Sequence, residues 1–205
     1  MKKTPLNDAE RPAVDAEPVL TRERIVRAAS RLMQRQGYDG TGVKQISQEA
    51  RATLGSVYHF FPGGKMEIAV AAIHHGDQEF SEELRVVLDS EPDPARAVAS
   101  FTHHLAESLR ASDWIDGCPI TTTALGAVGR LPKIQEAAAD AFTRWREIVR
   151  VKLLESGIGE TEAHELAHTV ISTLEGAELA AQVSQDSEPL DLAGRHLAQL
   201  ITSYQ

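Results

Sequence analysis

A short segment in the first third of the chain carries side chains that suit contact with DNA bases. Residues 53–60 read TLGSVYHF. In a helix, one face would hold only small or polar side chains, so that the backbone could approach base edges in a major groove. The residues of that face are Thr53, Gly55, Ser56 and His59. The apolar Leu54, Val57 and Phe60 would hold the helix in place or contact a thymine methyl group.

A second segment, from His164 to His168, matches H-E-x-x-H, the helical motif of zinc proteases. This spacing puts two imidazoles on one helix face, with a carboxylate placed to act as a general base. The longer form of the motif needs a glycine where Ile171 stands, and no second motif selects a third ligand among Glu175, Glu178 and Glu188. We therefore favour a solvated or interface face and predict no metal, no cofactor and no catalytic residue. A regulatory metal site and a helical enzyme built on this motif are the alternatives.

A single cysteine, Cys118, lies between Gly117 and Pro119, with Asp113 and Asp116 nearby. A redox-sensing thiol usually has basic neighbours. We therefore favour a structural, partly buried cysteine, with pocket lining or oxidation sensing as alternatives.

The elements that must position these residues are helices. Apolar residues recur at helical spacing along the chain, and the pattern breaks at Gly37, at residues 62–64, at residues 117–119 and at Gly157. No stretch shows sustained alternation of period two, so we predict an all-α protein of about nine helices. Residues 1–19 are polar, contain three prolines and lack periodicity, which predicts a disordered N-terminal arm.

Charge is distributed unevenly along the chain. The 205 residues include 21 Lys and Arg against 30 Asp and Glu, for a net charge of −9. Residues 20–70 hold eight basic and four acidic groups, whereas residues 71–205 hold ten and 22. A basic segment joined to an acidic remainder favours a nucleic-acid partner for the first part alone.

The overall composition excludes several classes of protein. Hydrophobic residues make up 42% and charged residues 25%, which is ordinary for a globular chain and unlike a disordered one. The longest apolar run, residues 68–73, is far shorter than the ~20 residues that cross a bilayer, and no apolar core of a secretory signal is present. With only one cysteine, the chain is expected to be cytoplasmic and to have no membrane partner.

Two short predicted helices, near residues 43–50 and 53–60, follow a longer one. This is the layout of a helix-turn-helix unit, whose second short helix enters the major groove. Ordinary helical bundles also contain short helices in succession, so the layout alone leaves both interpretations open.

Residues 21–65 resemble the DNA-binding domain of TetR-family repressors. The resemblance rests on Gly37-Tyr38, Thr41, the spacing of Val43, Ile46 and Ala50, and above all residues 53–60. It implies a helix-turn-helix domain at residues 20–67 and a ligand-binding and dimerisation domain at residues 68–205. The family usually has a turn glycine where this chain has Arg51. If φ is positive there, an arginine costs about 1–2 kcal/mol.

The resemblance also implies which residues meet double-stranded DNA. Phosphate contacts would come from Arg22, Thr41, Lys44, Tyr58 and Lys65, and groove contacts from Thr53, Leu54, Gly55, Ser56 and His59. Thr41 could instead be a cap, and Tyr58 could be half buried in the core. The arginines of the first helix should mostly face solvent.

The turn at residues 117–119 and the segment at residues 61–65 resemble the LmrA/YxaF-like branch of the family, whose members respond to drugs or plant-derived aromatics. This resemblance implies release by a small-molecule inducer of unknown identity. The pocket residues would be Phe101, His104, Trp114, Cys118, Phe142, Trp145, Glu175 and Glu178. Core packing is the alternative for the aromatic residues.

The last two predicted helices, about residues 160–185 and 189–204, combine apolar stripes with small residues that permit close approach: Ala177, Ala180, Ala181, Ala193 and Gly194. The same helices of a second copy would complete a four-helix interface, and packing within the chain is the alternative. The family favours the homodimer, which would read a palindromic operator with two recognition helices. A protein-binding adaptor with no role at DNA is a further alternative, which the basic segment disfavours.

Overall fold

The predicted all-α class is confirmed. The computed structural model describes residues 16–205, with side chains from Leu20 onward, and within that range it contains nine helices and no strand. The helices are α1 (Ala16–Gly40), α2 (Val43–Glu49), α3 (Leu54–Phe60), α4 (Lys65–Asp89), α5 (Pro94–Ala111), α6 (Thr121–Leu125), α7 (Pro132–Glu155), α8 (Glu160–Ser184) and α9 (Glu188–Thr202).

The first helix begins earlier than expected and is interrupted near its end. Residues 16–19, which we assigned to the arm, are helical, and the rest of the predicted arm, residues 1–15, lies outside the described residues. At Gly37 the backbone leaves the helical region, with φ of 69°. A Cβ at this position would also lie 3.2 Å from the carbonyl oxygen of Thr122. The turn between α1 and α2 therefore needs glycine for both its conformation and its packing.

The turn between α2 and α3 has a backbone conformation that favours glycine, but an arginine occupies it. Arg51 has φ of 50°, in the left-handed region. The Arg51 N–H donates to the Gln48 carbonyl at 3.1 Å, and the Ala52 N–H donates to the Ser47 carbonyl at 2.9 Å. These two bonds form a Schellman motif, which ends α2 and turns the chain into α3. The positive φ at Arg51, on which the expected strain depended, is therefore present.

The remaining helices pack into a bundle that continues the core of the first three. α4 contacts α1 on one side and α5 and α7 on the other, and α9 packs on α5 and α8. A buried acid on α4 joins two of these elements: Asp77 accepts from Arg144 Nε at 2.7 Å and from Trp145 Nε1 at 3.0 Å, both on α7. The proposed boundary at residue 67 falls inside α4, so this helix connects the two regions mechanically.

Candidate nucleic-acid interface and a buried acidic cluster

The start of α3 is fixed by its own side chains. Thr53 is the N-cap, and its hydroxyl oxygen accepts from the Ser56 N–H at 3.0 Å and lies 2.9 Å from Ser56 Oγ. Val57 is fully buried and anchors the helix from below. Of the apolar residues expected to anchor α3 or contact a thymine methyl, Val57 is therefore committed to packing, while Leu54 remains 43% exposed.

The outer face of α3 is open. Leu54, Gly55, Tyr58 and His59 are exposed, and Ser56 is half-buried. A Cβ built on Gly55 would have only ordinary contact with the chain, at 3.7 Å from Thr53 Oγ1. No internal contact therefore requires a glycine at position 55, and its small size matters only for something that approaches from outside.

Cations and an exposed tyrosine surround this face. Lys65 Nζ lies 4.3 Å from the centre of the Tyr38 ring, and the Arg22 guanidinium lies 5.2 Å from the centre of the Phe61 ring. Such contacts orient a cation without occupying its hydrogen-bond donors. Tyr58 is 52% exposed, which disfavours its alternative place in the core, and Lys44 is also exposed.

Thr41 differs from the other residues expected to contact phosphate. It is 1% exposed, and its hydroxyl donates to the Gly37 carbonyl at 2.8 Å. Its backbone N–H is also engaged, with the Tyr38 carbonyl at 3.2 Å. The structure therefore favours the capping alternative for Thr41 over a phosphate contact.

Two arginines of α1 have a role that the sequence did not indicate. Arg24 Nε donates to the carbonyl of Ala50, the C-cap of α2, at 3.1 Å, and Arg31 pairs with Glu49 at 3.5 Å. We expected these side chains to face solvent. They are exposed but also hold the end of α2, and therefore the turn before α3, against α1.

The aromatic residues expected in a ligand pocket mostly form core. Phe101 and Trp145 are fully buried and both contact Phe80, with ring centres 5.4 Å and 4.0 Å away. The half-buried Phe142 packs edge-on against Trp145 at 5.1 Å. These positions favour the core-packing alternative.

The other expected pocket residues separate into two groups. His104 is partly exposed and lies 3.3 Å from Glu83, and Trp114 is half-buried with φ of 63°. Cys118, Glu175 and Glu178 come together, with one donor atom of each within 4.8 Å of the others.

This cluster is buried and electrostatically unusual. Glu178 is 6% exposed, and its Oε2 has no hydrogen-bond partner among the residues that the structure describes. Burial, and then the negative charges of Glu175 and Glu83, raise the pKa of Glu178 to about 8. Burial also raises the pKa of Glu175. The Thr121 hydroxyl donates to Glu175 Oε2 at 2.6 Å, and this hydrogen bond opposes the rise in pKa. Burial, followed by the nearby charges of Glu175 and Glu178, raises the pKa of the Cys118 thiol.

A cleft of about 560 Å³ lies beside this cluster, with walls from α1, α4, α5, α8 and the loop before α6. Glu178 lines it. The loop that carries Cys118 is tied to α1 at two adjacent residues. Gln34 Nε2 donates to the Gly117 carbonyl at 2.5 Å, and Arg35 forms two bonds to Asp116, at 2.5 and 2.8 Å. The cluster is therefore mechanically connected to the helix that supports α2 and α3.

The H-E-x-x-H segment lies elsewhere on α8. His164, Glu165 and His168 are exposed, and the two imidazole centres are 4.8 Å apart. Among the side chains that the structure describes, no third metal-competent group joins them.

Comparison with known proteins agrees with this geometry. Residues 25–72 match the family described as bacterial regulatory proteins, tetR family, and residues 94–196 match the C-terminal domain of LmrA/YxaF-like transcriptional regulators. The HTH-type transcriptional regulator LmrA of Bacillus subtilis is 32% identical over 83% of this chain and 90% of its own length.

Two further proteins are similar over most of their length. The HTH-type transcriptional repressor NemR of Escherichia coli is 24% identical over 89% of this chain and 94% of its own. A crystal structure of a TetR transcriptional regulator from Chloroflexus aurantiacus superposes with a TM-score of 0.76 at 27% identity, covering 91% of this chain and 96% of that one. In the described range, no helix is long and apolar enough to cross a bilayer.

Proposed function

We propose that this protein, which belongs to the TetR family of DNA-binding transcriptional regulators, is a repressor. It would bind a palindromic operator as a homodimer, and a small molecule would release it. The family regulates transcription and does not consist of enzymes, so the enzyme built on His164 and His168 is set aside. Repression is favoured by the relative NemR, which is named a transcriptional repressor.

The outer face of α3 carries the DNA-binding part of the proposal. Gly55 has no internal reason to be small, and it lies on a helix whose base is anchored by the buried Val57. An anchored helix with small side chains on its outer face can enter a major groove. Tyr58 lies on α3, Lys44 lies on α2, and Lys65 begins α4. In these positions they would contact phosphates and fix the register of the protein on DNA.

The homodimer is supported by an exposed apolar stripe on α8. The stripe follows helical spacing and all its residues are exposed: Gly176, Leu179, Ala180 and Val183. A Cβ at Gly176 would meet no described atom within 4 Å. The other small residues do not serve this face. Ala181 and Ala193 are buried, and a Cβ on Gly194 would collide with Thr102 Oγ1, so Gly194 serves close packing of α9 on α5.

Release by a ligand would act through the cleft between α1 and the C-terminal helices. A ligand there would contact α4 and the loop held by Gln34 and Arg35, and so bias the position of α1. In a two-fold dimer this changes the separation of the recognition helices, which must match major grooves about 34–36 Å apart. By linkage, operator DNA would weaken ligand binding by the same factor.

Selection of bound sequences from random DNA, followed by gel shift over a salt series, tests the proposal. We expect a palindrome whose binding weakens steeply with salt, because phosphate contacts release counterions. Lys65→Ala should weaken binding to all sequences, whereas His59→Ala should change the sequence preference, typically by about 1–3 kcal/mol at the affected base pair. Binding that is independent of sequence would refute the operator-binding repressor, and absence of binding would refute it and favour the adaptor alternative.

A further inference from the structure

Three side chains with metal-binding atoms converge beside the cleft. Glu175 and Glu178 are three residues apart on α8 and therefore share a face, and the loop before α6 places Cys118 opposite them. One thiol sulfur and one oxygen of each carboxylate lie within 4.8 Å of one another. Thiolate sulfur and carboxylate oxygen are both ligands that zinc, and the transition metals that replace it, accept in proteins.

An unpartnered atom within the cluster points to a missing ligand. Glu178 is more than nine-tenths buried, and its Oε2 accepts no hydrogen bond within the described part of the protein. Buried polar atoms are nearly always satisfied, so such an atom calls for an explanation. The other two donors are already oriented, because the Thr121 hydroxyl lies 2.6 Å from Glu175 Oε2 and 3.3 Å from Cys118 Sγ.

We propose that Cys118, Glu175 and Glu178 bind a divalent metal ion of the zinc class, with a fourth position open to water. Zinc bonds of ~2.3 Å to sulfur and ~2.0–2.2 Å to oxygen place tetrahedral donors roughly 3.5 Å apart. The observed separation of up to 4.8 Å must therefore shorten by about 1 Å, through side-chain rotations together with a small movement of the loop that carries Cys118. Cys118 binds as thiolate and Glu178 as carboxylate, and both give their protons to solvent.

Shortening of these distances would affect the loop that carries Cys118. That loop has little freedom on its other sides. A Cβ on Gly76 of α4 would lie 2.8 Å from Pro119, and the loop is bonded to Gln34 and Arg35 of α1. Metal binding would therefore shift α1 or α4 with the loop. The expected consequence, release of the operator, rests on the proposed function, whereas metal binding itself does not.

A titration of the full chain with Co²⁺ tests the site directly. We expect one ion for each protomer and a thiolate-to-cobalt charge-transfer band, which Zn²⁺ abolishes by competition. Cys118→Ser should remove the band. Glu178→Gln should keep the band but weaken affinity by at least the ~10–100-fold that follows loss of a metal-supporting group.

The exposed histidines of α8 provide the matched control. His164→Gln/His168→Gln should leave the cobalt band and affinity unchanged, because neither residue lies in the cluster. Loss of cobalt binding in this variant, or a titration with no thiolate band, would overturn the proposal. If circular dichroism shows that Cys118→Ser loses helicity, the test is the weakened cobalt affinity of Glu175→Gln and Glu178→Gln, and wild-type affinity in both variants would overturn the proposal.

A gel shift with the selected operator separates the two levels of the inference. Zn²⁺ at concentrations that saturate the site should release wild-type protein and leave Glu178→Gln bound. Protein that binds cobalt as predicted but stays on DNA would overturn only the proposed coupling between the metal site and α1. Protein that binds cobalt but never binds DNA overturns the proposed function and leaves the metal site supported.

Discussion

At the scale of single residues, the turn before the recognition helix is strained by Arg51. Its φ of 50° suits glycine, and its side chain is exposed, so no internal packing offsets the cost. We predict that Arg51→Gly raises the free energy of unfolding by about 1 kcal/mol, measured by urea denaturation. Arg51→Ala keeps the Cβ and removes the same charge, so it should give no such gain. Equal stability of the two variants would contradict the explanation.

Burial of Glu178 makes stability depend on pH in a defined direction. Its pKa in the folded protein, about 8, lies above the ordinary value of 4.5, so between these values the folded state holds a proton that the unfolded state has lost. Stability from this group is complete below about pH 4.5 and falls as pH rises toward 8, by at most ~1.4 kcal/mol per pH unit. Glu175 adds to the effect in this range, because burial raises its pKa as well, whereas the raised pKa of the Cys118 thiol, whose ordinary value is 9.0, affects stability only at higher pH.

The variant Glu178→Gln should flatten this dependence. Urea denaturation from pH 5 to pH 8 in the presence of a chelator would measure it, and the variant should exceed wild type in stability increasingly as pH rises. Glu165→Gln, an exposed change on the same helix, should leave the slope as it is. An unchanged slope in Glu178→Gln would show that the proton is held elsewhere.

At the scale of elements, the recognition helix is too short to be stable by itself. α3 has seven residues, and its start depends on the Thr53 cap. Thr53→Ala should lower the free energy of unfolding by about 0.5–2 kcal/mol, because the Ser56 N–H loses its acceptor. Thr53→Ser keeps the oxygen and should restore most of the stability in thermal melts. Similar losses in both variants would mean that the threonine methyl, and not the cap, stabilises α3.

The positions of the helices were predictable from sequence because they follow local rules. Apolar spacing, caps and glycine breaks act within a few residues, and they located α2, α3 and α4 closely. Contacts between distant parts of the chain were not predictable in this way. No local pattern indicates that Cys118 meets Glu178 of α8, or that Arg24 reaches the carbonyl of Ala50. The cleft proposed to bind a ligand depends on such contacts, so its members were identified only in part.

At the scale of the whole molecule, the net charge of −9 is the sum of a small basic part and a larger acidic part. The basic residues concentrate in α1 to α3 and the start of α4, where the DNA-binding surface is proposed, and the acidic excess lies in the later helices. An acidic body reduces non-specific attraction to DNA, so affinity should depend on two correctly spaced recognition helices. We therefore predict that operator binding requires the proposed dimer as well as the helix-turn-helix.

The stripe on α8 provides the test of that requirement. Val183 is 78% exposed, and Val183→Glu would place an unpaired carboxylate in the proposed interface of both subunits. We predict that dimer affinity falls by about 100-fold or more, since an uncompensated buried charge costs ~3–5 kcal/mol. Sedimentation equilibrium measures this loss. Palindrome binding should fall in parallel, because one monomer reads only one half-site. Val86→Glu, at a similarly exposed valine on α4, should keep both the dimer and DNA binding. A dimer of unchanged affinity in Val183→Glu would place the interface on another face.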